Sequence, residues 1–100
     1  MMYYCYILHS EYLDRFYIGA TSLDPEERLE NHLVKYYSEA KFTAKTNDWI
    51  LFLAIPCATF AQASALESHI KSMKSKKYIQ NLKQYPEMLQ KLIEKYPSDS

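Results

Sequence analysis

Hydrophobic and polar residues follow one another in patterns that predict three β-strands. Residues 3–8 (YYCYIL) and 16–21 (FYIGAT) are rich in aromatic and branched side chains, which favour extended structure. The polar segment between them predicts a hairpin. Residues 49–56 (WILFLAIP) form a continuous apolar run that ends in proline, which predicts a strand buried on both faces.

Helical periodicity follows two start signals. Asp24 is an N-cap residue followed by proline at the first helical position, so we expect a helix to begin there. Thr59 and Gln62 form a capping box that opens another helix. The apolar spacing predicts that this second helix buries Ala63, Leu66, Ile70 and Met73.

Two shorter apolar patterns close the chain. Residues 79 and 82 continue a helical face beyond the polar segment at 75–77, and a last amphipathic helix follows Pro86. The order β-β-α-β-α-α, with a further C-terminal helix, predicts an α+β fold: a small three-stranded antiparallel sheet flanked by helices. We expect residues 1–83 to form the main domain and residues 84–100 a helical extension of it. The aligned Leu89, Leu92 and Ile93 could mediate a dimer, and the oligomeric state stays open.

Composition excludes several classes of protein. The two cysteines each lie in an apolar run and no Cys/His cluster is present, which favours buried thiols over a disulfide or a zinc site. No signal peptide opens the chain, and the longest apolar run is too short to span a bilayer. We therefore expect a cytoplasmic protein without membrane association.

Charge is unevenly distributed although the formal net charge is zero. Residues 24–30 carry an acidic cluster, whereas residues 71–83 carry five lysines and no acid. Such a segment could attract phosphate. A solvated helix face is the commoner explanation of a lysine run, and composition does not choose between the two.

Several side chains could carry chemistry, and each has an ordinary alternative. Arg28 and His32 are four apart, so they share a helix face that could bind phosphate or could be a solvated flank. Glu67 follows Leu66 at the edge of a helix's apolar face, where a carboxylate could ligate Mg²⁺ or simply be surface-exposed. His9 and His69 have no companions at a suggestive spacing and are interpreted as surface residues.

The order of these residues resembles the GIY-YIG nuclease superfamily, most closely its short single-domain bacterial members. The resemblance comprises Tyr6-Ile7-Leu8, Tyr17-Ile18-Gly19, Arg28 with His32, and Glu67, and it covers residues 3–83. The segments 41–45 (KFTAK) and 71–77 (KSMKSKK) support it. One position departs from the family pattern: Cys5 stands where the first motif has glycine, as is common in the short bacterial members.

The resemblance implies a role for each matching residue. Tyr6 and Tyr17 correspond to the two motif tyrosines, Arg28 to the arginine that faces the scissile phosphate, and His32 to the position one turn later. Glu67 corresponds to the single metal-binding glutamate. The implied nucleic-acid contacts are Lys71, Lys74, Lys76, Lys77, Lys41 and Lys45, with Asn81 as a further polar candidate.

The implied mechanism is phosphodiester hydrolysis with one Mg²⁺ or Mn²⁺ ion held by Glu67. A tyrosine, with Tyr6 preferred, takes a proton from water, which requires nearby cations because an unperturbed phenol titrates near pH 10. Arg28 neutralises charge on the phosphorane. We therefore expect Glu67, Arg28 and both phenols in one pocket, with carboxylate and phenol oxygens within about 10 Å of one another.

The resulting expectation is a Mg-dependent endodeoxyribonuclease that is structure-selective or weakly sequence-specific. Because a chain of this length leaves no room for a separate recognition domain, branched or damaged DNA in repair or recombination is the preferred substrate. The alternative is a catalytically inactive nucleic-acid or protein binding module on the same fold.

Overall fold

The computed structural model describes residues 2–22 and 46–97. Its elements are the strands β1 (Tyr3–Ser10), β2 (Arg15–Thr21) and β3 (Ile50–Cys57) and the helices α1 (Phe60–Met73), α2 (Lys76–Gln84) and α3 (Pro86–Lys95). β1 is the central strand and pairs antiparallel with β2 on one side and β3 on the other. The predicted α+β fold with a three-stranded antiparallel sheet is confirmed. The helix predicted from Asp24 lies outside the described residues.

A polar cluster around Asp48 ties the β1–β2 hairpin to the start of β3. Its carboxylate accepts hydrogen bonds from Ser10 Oγ at 2.6 Å, from the Tyr12 backbone N–H at 2.9 Å and from Thr46 Oγ1 at 2.9 Å. Ser10 is fully buried, and its Oγ also accepts from the Leu13 backbone N–H at 3.1 Å. The hydrogen bonds from Ser10 and Tyr12 are the main reason that the pKa of Asp48 is lowered.

A β-bulge interrupts the pairing of β1 with β3. Ile7 is opposite Leu53 and Leu8 is opposite Leu51, so Phe52 is an extra residue in β3. Phe52 and Leu53 both pack against the main core, and Leu51 packs on the other side. The extra residue therefore adds an aromatic ring to one face of the sheet and shifts the β1–β3 register by one residue between Ile7 and Leu8.

The prediction that this third strand is buried on both faces is wrong. β3 is an outer strand of the described sheet, with Ile50 57% exposed and Pro56 also exposed. A continuous apolar run does not distinguish a central strand from an outer one. Pro56 has no N–H to donate, which an outer strand tolerates and a central one does not.

The two faces of the sheet carry different cores. On one face, the helix face, β1, β2 and β3 pack against all three helices through a cluster that includes Cys5, Ile7, Ile18, Ile55, Leu66 and Leu82. On the opposite face, the tyrosine face, the described buried residues are Tyr6, Leu8 and Trp49, with Tyr17, Leu13 and Leu51 packed against them. Strand alternation sends successive residues of β1 to opposite faces.

The N-cap predicted at Thr59 is present, but the return bond of the capping box goes to the residue before the cap and not to Thr59 itself. Thr59 Oγ1 accepts from the Gln62 backbone N–H at 3.1 Å, and Gln62 Oε1 accepts from the Ala58 backbone N–H at 3.1 Å. Gln62 Nε2 also donates to the Tyr96 carbonyl at 2.9 Å, which fastens the end of α3 to the start of α1. One side chain thus serves both the cap and a tertiary contact.

α1 buries Ala63, Leu66 and Ile70 as predicted, but the expected burial of Met73 is wrong. Met73 is 44% exposed. The helix ends there because Lys74 adopts a left-handed conformation, with φ 48°, and its N–H donates to the Lys71 carbonyl. The chain leaves the core surface before a further turn could bury Met73.

The C-terminal helices complete the helix face. Ser75 caps α2 by accepting from the Tyr78 backbone N–H at 3.0 Å. In α3, Leu92 is 5% exposed, and Leu89 and Ile93 pack against the same core. The apolar side chains considered as a dimer surface thus contact this chain's own core. None of the helices in residues 2–22 and 46–97 has the length and apolar character needed to cross a membrane.

Candidate active site

The two motif tyrosines come together on the tyrosine face. β1 and β2 pair so that Tyr6 is opposite Gly19 and Leu8 is opposite Tyr17, which directs both tyrosines to the same side. Their ring centroids are 6.2 Å apart, and the ring planes are inclined by 39°. Tyr6 is 1% exposed and Tyr17 is half-buried. Two phenol groups therefore occupy one region, the outer of them accessible to solvent.

Gly19 provides the space that the Tyr6 ring occupies. A Cβ atom at position 19 would lie 2.5 Å from Tyr6 Oη and 2.6 Å from its Cζ, well inside van der Waals contact. Gly19 has no positive φ, so backbone conformation does not require glycine here. The glycine after Tyr17-Ile18 is needed because the Tyr6 phenol extends across β2.

The cysteine that replaces the glycine of the first motif points away from the tyrosines. Cys5 is fully buried on the helix face, where a side chain fills core volume without touching the phenols. Its pKa is raised to about 12, first by burial and then by the charges of Cys57 and Glu67. The departure from the motif therefore alters the core and leaves the tyrosine face as the motif requires.

Glu67 lies on α1 and forms an ion pair with the residue one turn later. Lys71 Nζ donates to Glu67 Oε2 at 2.6 Å, and the two side chains are 53% and 24% exposed, respectively. Lys71 in turn lines a groove with Ile18 and Arg15 of β2. The exposed edge of α1 that carries Glu67 and Lys71 therefore runs beside β2.

Glu67 and the tyrosines stand on different sides of β2. α1 packs on the helix face, whereas Tyr6 and Tyr17 project from the tyrosine face. Between them is one outer strand, over which the Tyr6 phenol extends. The structure thus brings the two tyrosines together and pairs Glu67 with Lys71. The single pocket expected for Glu67, Arg28 and both phenols stays a prediction, since Arg28 lies outside the described residues.

The lysine run divides into residues with different surroundings. Lys76 Nζ donates to Asp14 Oδ2 at 2.8 Å, which lowers the pKa of Asp14. Lys74 and Lys76 line the same groove as Lys71, a cavity of about 330 Å³, and Lys77 is exposed on α2. Arg15 also lines it. Sequence reasoning missed Arg15 because only the fold brings the start of β2 to the end of α1.

Other candidates lie elsewhere. Asn81 is half-buried on α2, and its carbonyl accepts from the Tyr85 N–H at 2.8 Å. The interpretation of both histidines as surface residues is wrong. His9 packs on Phe16, with ring centroids 4.6 Å apart, and His69 Nδ1 is 3.0 Å from Tyr96 Oη. Both are half-buried among aromatic rings that distant segments supply.

Arg28, His32, Lys41 and Lys45 lie outside the described residues. Within residues 2–22 and 46–97, no group of three or more His, Cys, Asp or Glu side chains could hold a metal ion.

A family model described as the GIY-YIG catalytic domain matches residues 2–83. The match includes both tyrosine motifs, Glu67 and the lysine run, and it ends one residue before the end of α2. No curated protein and no solved structure matches the chain.

Proposed function

The chain belongs to the GIY-YIG nuclease superfamily, and from that premise we propose that it is a metal-dependent endonuclease that hydrolyses phosphodiester bonds in DNA. Its domain is of the nuclease type. The proposal includes the dependence on a metal ion and DNA as the substrate. It also includes a role in repair or recombination on branched or damaged DNA.

The observation that carries the proposal is the arrangement of chemically different groups around β2. The Tyr6 phenol crosses this strand above Gly19, and Tyr17 projects beside it. The Glu67–Lys71 pair runs along its other side. A proton acceptor, a carboxylate and an ammonium group thus flank one strand, which are the groups that phosphodiester hydrolysis uses.

β2 can separate these groups without isolating them because it is an outer strand of the described sheet. Neighbouring strands lie about 4.8 Å apart, so groups on the two sides of an outer strand are separated only by the width of that strand. A DNA backbone that approaches this edge could contact side chains from both faces. We place the scissile phosphate at this edge, near the Tyr6 hydroxyl.

Glu67 fits the requirements of a single hard cation. Its carboxylate is partly exposed, and Mg²⁺ commonly takes one or two carboxylates with water and substrate phosphate completing the shell. Lys71 is an exposed, flexible partner that can move to a phosphate oxygen when the carboxylate binds a cation. When bound, the cation supplies Lewis-acid activation of the phosphate and stabilises the leaving oxygen.

The two tyrosines have different roles in the proposed reaction. Tyr6 Oη takes the proton of the attacking water as a phenolate, a form that nearby cations favour, because this phenol is the more buried of the two and lies over β2. Tyr17 is more exposed and orients the phosphate or the water. Arg28 and His32 are proposed to supply positive charge for the phosphorane, as their positions in the family pattern imply.

Glu67→Gln tests this proposal. The substitution keeps side-chain size and helix propensity, so circular dichroism and thermal unfolding should change little. We expect cleavage of branched, flapped and plain duplex DNA in Mg²⁺ to fall by orders of magnitude. DNA affinity should hold or increase, because a carboxylate near the phosphate is lost. Glu94→Gln, an exposed glutamate on α3, is the matched control and should cleave like the wild type.

Tyr6→Phe extends the test to the tyrosine face. A general base contributes about 10²- to 10⁴-fold to a rate, so removing one oxygen should reduce cleavage by that order. If the wild type cleaves none of these substrates in Mg²⁺ or Mn²⁺, and Glu67→Gln binds them unchanged, the endonuclease proposal fails. The binding-module alternative would then account for the fold.

A further inference from the structure

A basic groove lies at the outer edge of β2, beside the junction of α1 and α2. Its volume is about 330 Å³. The cationic lining residues are Arg15, Lys71, Lys74 and Lys76, and its apolar lining includes Ile18 and Ile79. Among the described residues, no carboxylate lines it. Four cations from three elements converge there although the formal net charge of the whole chain is zero.

A carboxylate at the rim holds one of these cations. Lys76 Nζ is 2.8 Å from Asp14 Oδ2, although 62 residues separate them in the chain. Asp14 is exposed and adopts a left-handed conformation with φ 51° at the β1–β2 turn. The ion pair is exposed on both sides, so it contributes little stability and can be exchanged for another anion.

We propose that this groove binds phosphates of a DNA strand that extends beyond the scissile phosphate, and that Asp14 competes with the DNA for Lys76. This inference rests on the proposed nuclease function, since it names how the same site holds its substrate. Arg15 and Lys74 contact phosphate directly. Lys76 exchanges Asp14 for a phosphate oxygen when DNA binds.

The spacing along α1 relates the groove to the site of cleavage. Lys71 lies one turn beyond Glu67. Lys74 lies about 10 Å beyond Glu67, at a rise of about 1.5 Å per residue. One strand of B-DNA carries a phosphate about every 3.4 Å along the helix axis. The groove would therefore contact phosphates up to about three nucleotides from the one at Glu67.

The groove predicts two variants with opposite effects on DNA affinity. Arg15→Gln with Lys74→Gln removes two phosphate contacts, and Asp14→Asn removes the competing charge while tolerating the left-handed turn. Binding is measured by fluorescence anisotropy with a labelled 20-base-pair duplex in EDTA, over a series of salt concentrations. Lys91→Gln, an exposed lysine on α3, is the control for loss of one positive charge.

Each phosphate contact contributes about 0.9 to the log–log salt slope. The double variant should therefore lose about 1.8 in slope and bind on the order of 60-fold more weakly at 0.1 M salt. Asp14→Asn should bind up to about eightfold more tightly, because Lys76 no longer has to leave a carboxylate and one unit of charge is worth about that factor at this salt concentration. The Lys91 control should match the wild type. Circular dichroism checks that each variant folds.

Failure of the groove and failure of the nuclease function give different results. If the double variant and Asp14→Asn both bind as the wild type does, while Glu67→Gln still abolishes cleavage, the groove inference is overturned and the enzyme stands. If the wild type cleaves no substrate, and the two groove variants nevertheless shift DNA affinity in opposite directions, the groove stands as a DNA-binding site. Weaker DNA binding by Asp14→Asn would overturn the inference that Asp14 competes with DNA for Lys76.

Discussion

The two faces of the sheet use neighbouring residues of β1 for different purposes. Cys5 and Ile7 are fully buried under the helices, in a core built largely of aliphatic side chains. Tyr6 and Leu8 point the other way, and Ser10 follows them in the same alternation. The fully buried part of the helix face is largely aliphatic, whereas the tyrosine face buries the Tyr6 phenol in a small apolar cluster.

The difference shows how one strand can serve stability and chemistry at once. Aliphatic burial contributes about 25 cal/mol per Å² of apolar surface, and packing it on one side leaves the other side free to carry polar groups. A buried hydroxyl needs a partner, which restricts where it can lie. We therefore expect substitutions on the helix face to change stability and substitutions on the tyrosine face to change activity.

Ile7→Ala should have the largest effect on folding. Ile7 is fully buried among residues of all three strands and α1, and such truncations cost about 2–5 kcal/mol. Urea unfolding followed by circular dichroism should show a lower midpoint with an unchanged slope. Activity per folded molecule should remain, whereas the adjacent Tyr6→Phe should keep most stability and lose cleavage.

Ile50→Ala is the matched control for this truncation. Ile50 is 57% exposed in β3, so the same chemical change should alter stability by no more than about 0.5 kcal/mol. Equal losses at positions 7 and 50, or a loss of activity in Ile7→Ala without any loss of stability, would contradict the division between the two faces.

Gly19→Ala should have a smaller but diagnostic effect. At an open strand position, alanine would stabilise the chain relative to glycine by about 0.5–1 kcal/mol. Here the added methyl would overlap the Tyr6 phenol, which is buried and has little room to move. We expect a loss of about 1–3 kcal/mol, the usual cost of overpacking, together with reduced cleavage.

A double-mutant cycle identifies the cause of that loss. If the Tyr6 ring is the obstacle, Gly19→Ala should cost less in a Tyr6→Leu background than in the wild type. The measurement is the free energy of unfolding of the four proteins in urea. An alanine at position 19 that is equally costly in both backgrounds would exclude the Tyr6 ring as the reason for glycine.

Much of the fold could be predicted because local signals agree with the final structure. The side chains of β1 and β2 favour strands, and Thr59 with Gln62 forms the cap that its spacing predicts. The position of β3 at an edge was not predicted because an apolar run has the same pattern in central and outer strands, although Pro56, which lacks an N–H, favours an outer strand. Met73 matched the helical period, but the left-handed Lys74 ended the helix.

The candidate site was predictable in part. The family pattern selected Tyr6 and Tyr17, and strand register then brings them to one face. The pattern did not reveal that Glu67 approaches from the other side of β2, because that depends on where α1 packs. Arg15 was missed for the same reason. His69 packs against Tyr96, 27 residues away, and no local spacing indicates such a contact.

The tyrosine face also has a polar anchor, which predicts a pH dependence. Asp48 accepts hydrogen bonds from Ser10, Tyr12 and Thr46, and its lowered pKa means that the folded state favours the ionised carboxylate. Such a group stabilises the fold above its unfolded pKa, about 3.9, and this stabilisation is lost as the pH falls through the folded pKa.

Asp48→Asn should therefore have the smallest effect, and one confined to a pH window. An amide cannot ionise, so the variant should be less stable than the wild type near pH 6, and the gap between their urea midpoints should narrow below about pH 4. Ser10→Ala removes the largest contributor to the lowered pKa of Asp48. The urea midpoint of this variant should therefore lie closer to that of Asp48→Asn than the wild-type midpoint does. Asp14 also has a lowered pKa, but it is intact in all three proteins, so its titration cancels in the comparison. A gap between wild type and Asp48→Asn that stays constant from pH 6 to pH 3 would mean that the anchor acts through shape and not through charge.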